Sequence, residues 1–148
     1  MRSFEIDPLI YVVEGNSGIG EIIKDALGYE DLYPKIVETV EEIYSILGQL
    51  TPALVIVELQ RERISAERNL FEDLKKKNVL SLALDWALSP NPNPEEIEER
   101  RELLGVTAVI PKPFKIDSLV GAVKSLTNSL DSQKDKQQLP VPPRPEPE

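Results

Sequence analysis

The chain has neither cysteine nor histidine among its 148 residues. That double absence removes disulfide frameworks, thiolate nucleophiles, histidine bases and the usual zinc ligands at once. Aromatic residues are scarce at 5%, with a single tryptophan. No apolar run approaches the ~18 residues a membrane helix needs, and no signal-peptide pattern is present, so a soluble cytoplasmic protein is expected. Bases are in the minority, 17 against 26 acids, for a net charge of -9. A surface of that sign repels phosphate backbones and anionic lipid, so neither nucleic acid nor membrane is expected as a partner.

What is present suffices for one real core, since 41% of the residues are hydrophobic. The apolar content fades near residue 130, which places a folded domain over residues 1–130. Residues 131–148 form a proline-rich tail, expected to be disordered. Within that tail, Pro140-Val141-Pro142-Pro143-Arg144-Pro145 has two overlapping Pro-x-x-Pro spacings. Such spacing suits an aromatic groove, although a solubilising end or linker is the plainer reading.

Inside the domain, short buried runs alternate with amphipathic stretches. Leu9-Ile10-Tyr11-Val12-Val13, Ala53 to Val57, Val79 to Leu84 and Val106 to Ile110 read as strands covered on both faces, and Lys35 to Glu38 as a weaker one. Helical stripes fall at Ile19, Ile22, Ile23, Ala26 and Leu27; at Ile43, Ile46, Leu47 and Leu50; and at Leu70, Phe71 and Leu74. Thr39-Val40-Glu41-Glu42 has capping-box spacing. Asn93-Pro94 suits the cap and first position of a fourth helix, Glu95 to Leu104, which Gly105 stops. A fifth stripe, Ile116 to Leu126, closes the domain. Five strands alternating with five helices imply a doubly wound, five-stranded parallel sheet with helices on both faces, an α/β fold of flavodoxin-like order.

Ligands of such sheets bind at the carboxyl ends of the strands. Reading those ends gives Glu14 and Gly15 after the first strand, Glu58 after the third, Ala83 or Leu84 after the fourth and Lys112 after the fifth. Two carboxylates and a lysine on one rim make a polar site, or are simply the first hydrophilic residues after buried strands.

Three segments in order decide between those readings. Ile10 to Glu14, Pro52 to Glu58, and Gly105 to Phe114 with its Lys112-Pro113-Phe114 ending resemble the receiver domain of bacterial two-component response regulators. The resemblance spans about residues 9 to 128. It implies a phospho-accepting aspartate at the end of the third strand, two adjacent acids that help it hold Mg²⁺, a switch Ser/Thr, a switch aromatic, and a lysine aimed by a cis X-Pro bond.

The departures from that pattern carry the functional argument. Glu58 stands at the acceptor position, one methylene longer than aspartate. Gly15 replaces the second acid beside Glu14, so Mg²⁺ binding is expected to be lost or weak. The switch Ser/Thr aligns with Ala83, which can donate nothing, and the switch aromatic with Val109. Arg61-Glu62 stands where the family has Met-Pro. Lys112 and Pro113 survive, and a Glu58–Lys112 ion pair is expected to replace the phosphoryl–lysine contact.

Gly15-Asn16-Ser17-Gly18-Ile19-Gly20 also looks similar to the nucleotide loop of short-chain dehydrogenases, one residue short in its first gap, and no Tyr-x-x-x-Lys accompanies it. Trp86 either anchors a partner or folds back on its own domain. The charged run Glu95 to Glu102 reads as a solvated face.

The reading is a stand-alone degenerate receiver, not an enzyme and without cofactor. It signals by contact with a protein partner, such as a histidine kinase or an output protein. The resemblance puts that contact on the face of the fourth helix, fifth strand and fifth helix, with a homodimer as a further possibility. The alternatives are a conventional phosphorylated receiver, with Glu58 or a displaced aspartate such as Asp85 as acceptor, and a small nucleotide-binding Rossmann-like protein.

Overall fold

Period-two alternation within the strands divides the apolar residues into two sets, and the fold follows from covering both. A computed structural model describes residues 9–15, 18–60, 64–89 and 91–138, the side chains at 64 and 129–138 excepted. The elements are β1 (Ile10–Val13), α1 (Ile19–Gly28), β2 (Lys35–Val37), α2 (Val40–Leu47), β3 (Leu54–Glu58), α3 (Ile64–Lys76), β4 (Leu80–Asp85), α4 (Pro94–Leu104), β5 (Ala108–Pro111) and α5 (Ile116–Gln138). All pairings are parallel and the strand order is β2-β1-β3-β4-β5. The order reverses between β1 and β3, which places the switch-point crevice at their carboxyl ends.

Tyr11, Val13, Val55, Val57, Ala83 and Val109 face one way. They pack with Val40, Ile43 and Leu47 of α2, Leu70, Phe71 and Leu74 of α3, and Leu104 of α4. The alternate residues Ile10, Val12, Leu54, Ile56, Leu82 and Leu84 face the other way, against Ile23 and Leu27 of α1 and Leu119 and Val123 of α5. Each central strand is therefore buried on both sides, as its continuous apolar run required.

Local signals fix the helix ends. Thr39 accepts from the Glu42 amide at 3.1 Å while Glu42 reaches back to the Thr39 amide at 3.2 Å, so the capping box is formed. Asn93 accepts from the Glu96 amide at 2.8 Å, Pro94 opens α4, and Gly105 takes a left-handed conformation (φ 79°) just past its end. Tyr44 of α2 donates to Asp73 of α3; burial and then that carboxylate push the phenol up to about 12.

Most strand ends shift by a residue or two from the sequence reading, and two boundary differences matter most. β4 runs one residue beyond Leu84, because the Asp85 carbonyl still accepts the Lys112 amide at 2.8 Å and keeps the ladder going. The backbone of α5 continues to Gln138, past the boundary set at residue 130, since Asp131 to Gln138 contains neither glycine nor proline to stop it. The proline-rich remainder, residues 139–148, lies outside the described residues. Among those described, no helix is long and apolar enough to cross a membrane.

Ile56 is fully buried at the centre of the sheet. Ile56→Ala is expected to lower unfolding free energy by about 2–5 kcal/mol. Chemical denaturation measures it, and a loss under about 1 kcal/mol would contradict this packing.

Candidate functional site

The same alternation that builds the core aims the rim residues. Glu58 shares parity with Leu54 and Ile56, and Lys112 with Ala108 and Ile110, so both side chains leave on the α1/α5 side. Between them lies the end of β4, with Leu84 paired to Glu58 on one flank and to Ile110 on the other. Lys112 Nζ meets Glu58 Oε2 at 2.7 Å across that gap. The carboxylate is 3% exposed and the lysine 28%. The Lys112–Pro113 peptide is cis, and Phe114 beyond it packs on the α1/α5 core. The expected ion pair is thus present, tying β3 to β5, two strands that share no hydrogen bond.

Glu14 is buried and turns toward α1. Its Oε1 accepts the Gly20 amide at 2.9 Å, in the first turn of a helix whose own cap residue, Gly18, has no side chain to offer. Gly20 eases that approach, since a Cβ there would lie 3.0 Å from Glu14 Cγ and 3.1 Å from Ile36 Cδ1, and both side chains would have to shift by a few tenths of an ångström. One first-turn amide of the kind that binds anions is therefore taken by the chain's own carboxylate. Residues 16 and 17 of that loop lie outside the described set, as do Arg61 and Glu62.

Gly15 faces the side chain of Gln60, whose Nε2 would sit 3.3 Å from an added Cβ. Gln60 is itself held by a buried acid, for Glu67 of α3 accepts the Gln60 amide through both oxygens at 3.1 and 3.0 Å. No side-chain oxygen comes from position 15.

Ala83 is not at the rim, which corrects the sequence reading. It pairs with Val57, one residue short of Glu58, and is buried in the α2–α4 core beside Val109. Val79 to Leu84 is apolar but for Ser81 in its middle, so composition did not show where β4 ends; its register against β3 does. The side chain that β4 delivers to the rim is Asp85, fully buried, with Oδ2 2.6 Å from Arg100 Nε and Oδ1 3.4 Å from Arg100 Nη2. The same Oδ1 accepts the Ala87 amide at 3.0 Å, and this bond fixes the start of the following loop. Trp86 folds back onto the α2–α4 core rather than standing free of it. Asp85 thus pins α4 to the sheet, a contact the sequence reading missed. The only signal was Arg100 itself, a cation at an inward helix position between Ile97 and Leu104.

Val109, which the sequence reading set at the switch-aromatic position, is an interior residue of the same core, 7% exposed. Among the described residues, no three acidic side chains converge as a metal-holding group.

No family model and no curated protein matches this sequence. Solved structures do. A Francisella response-regulator receiver domain superposes with TM-score 0.67 at 19% identity, covering 84% of this chain and 99% of its own. The signal receiver domain of a signal-transduction histidine kinase from Syntrophus aciditrophicus gives 0.66 at 22%, over 92% and 98%. An orphan response regulator of H. pylori gives 0.59 at 23%, over 80% and 95%. Identities this low speak to architecture alone. With the strand order, the rim geometry and these neighbours together, the chain has the fold of a response-regulator receiver domain.

Proposed function

We propose that this protein is a pseudo-receiver: a signalling module of two-component type that works by binding a protein partner, without phosphorylation, Mg²⁺ or catalysis. The observation that carries the reading is the 2.7 Å Glu58–Lys112 pair. At the position where the family's aspartate accepts a phosphoryl group, a carboxylate one methylene longer already meets the lysine that such a group would engage. The shape is held by the sequence itself.

The neighbouring donors agree. Mg²⁺ needs near-octahedral oxygen geometry and leans on a few carboxylates. Here Glu14 caps α1, Gly15 has no oxygen to give, and Glu58 is bound to an ammonium. That donor set does not suit the ion. Asp85 does not suit the role of a displaced acceptor either, because it is fully buried against Arg100 and the Ala87 amide. Asp85, at the rim end of β4, is held by Arg100, and Val109 lies in the core, so neither position offers the hydroxyl or the aromatic ring that relays switching in the family. The partner meets the face of α4, β5 and α5, which Lys112 and Arg100 hold in one arrangement.

Glu58→Gln keeps the size of the side chain and removes its charge. It leaves Lys112, which is partly solvated, without its counter-ion, so a stability loss of about 1–3 kcal/mol is expected. The protein captured from a lysate by the wild-type chain should bind this variant at least ~10-fold more weakly, about 1.4 kcal/mol. Equal affinity for both proteins would show that the pair does not set the binding shape and that the domain is an inert adaptor.

Replacing Arg100 by leucine strands the Asp85 carboxylate in the interior. Its expected loss is about 3–5 kcal/mol, read by thermal or chemical unfolding. A loss under about 1 kcal/mol would mean that Asp85 does not tether α4.

A further inference from the structure

A groove of about 460 Å³ runs between α3 and the end of α4, outside the rim. One wall carries Arg68, Glu72 and Lys75, spaced i, i+4 and i+7 along α3 and all exposed. The other wall is the end of α4, with Leu104 in the core and Leu103 projecting at 52% exposure. One turn back from Leu103 lies Glu99, and Glu95, Glu99 and Glu102 share a single exposed stripe. Among the described residues, Arg68, Lys75, Glu95 and Glu99 enter no ion pair, whereas Glu98 is held by Arg101 on the neighbouring stripe. Arg68 and Lys75, with Glu72 between them, and the acidic stripe of α4 thus flank Leu103 on one face.

We infer that this face is a self-complementary interface, which a second copy of the chain covers about a two-fold axis. A two-fold lays α3 of each copy against α4 of the other, so that Arg68 and Lys75 meet the partner's Glu99 and Glu102 twice over. Leu103, otherwise solvated, goes under the partner in both halves. Acids outnumber bases 26 to 17 over the chain, so random approach of two copies is repulsive. The α3 ridge is where that repulsion is relieved, and its charges select the orientation more than they supply the affinity. An acidic peptide from another protein would use the basic wall alone and leave the glutamate stripe unexplained. The inference does not rest on the Glu58–Lys112 reading, because α3 and the outer stripe of α4 lie away from that pair, and β5 and α5 stay open in the dimer.

Light scattering after gel filtration tests it on the full chain and two charge-reversed variants, each checked by circular dichroism. The wild type should run with twice the mass of one chain. Arg68→Glu/Lys75→Glu places acid against acid, and Glu99→Lys/Glu102→Lys places base against base, so each alone should be monomeric. Mixed in equal amounts, the two variants match at both halves of the interface and should recover the doubled mass. A monomeric wild type would overturn the inference. So would a dimer that survives either reversal, or a mixture that stays monomeric.

Discussion

The ammonium of Lys112 and the carboxylate of Glu58 meet over the end of β4, and the arrangement of the rim depends on that contact. The pair joins strands that are next-but-one neighbours, so β3, β4 and β5 end as one rigid edge. A pair with one partner buried and the other partly solvated gains little net stability, because desolvation offsets most of the attraction. Its value is in fixing a geometry. The low exposure of Glu58 makes any state with the lysine withdrawn expensive.

Each of the other rim acids is similarly committed. Glu14 caps α1 through the Gly20 amide, Asp85 holds Arg100, and Glu67 holds the Gln60 backbone beside Gly15. These bonds belong to local folding, because each satisfies a helix-end amide, a loop amide or a partly buried cation. In a domain that must receive a metal and a phosphoryl group, the same carboxylates would have to stay available. The rim carries Glu14, Glu58 and Lys112, and their partners come from within the chain. Arg100 extends this to α4, so the helix that flanks the proposed binding face is anchored to the sheet by charge, with Ile97 and Leu104 packing beside it.

Much of this was legible in the residues. The apolar runs and the stripes separated five strands from five helices. Thr39 with Glu42, Asn93 with Pro94, and Gly105 marked helix ends that the structure reproduces. Glu58 facing Lys112 followed from two strand ends and a family likeness. The fourth strand was harder. Its one polar residue, Ser81, lies in the middle of Val79 to Leu84 and marks no end, and the register against β3, a property of the pair, puts Ala83 inside and Asp85 at the rim. The Asp85–Arg100 contact joins a strand to a helix fifteen residues later. Nothing in either segment alone announces it beyond an arginine on an inward stripe. The run of α5 to Gln138 was hidden because its last residues lack an apolar face, although their backbone propensity permits a helix.

The most direct measurement is an amide NMR titration of the purified protein with Mg²⁺ and beryllofluoride, a phosphoryl mimic. The account predicts no saturable shifts at Glu14, Glu58 or Lys112, since the lysine is already engaged and the metal lacks its ligands. Saturable shifts spreading from those residues into α4 would contradict it, and would identify a working phospho-switch.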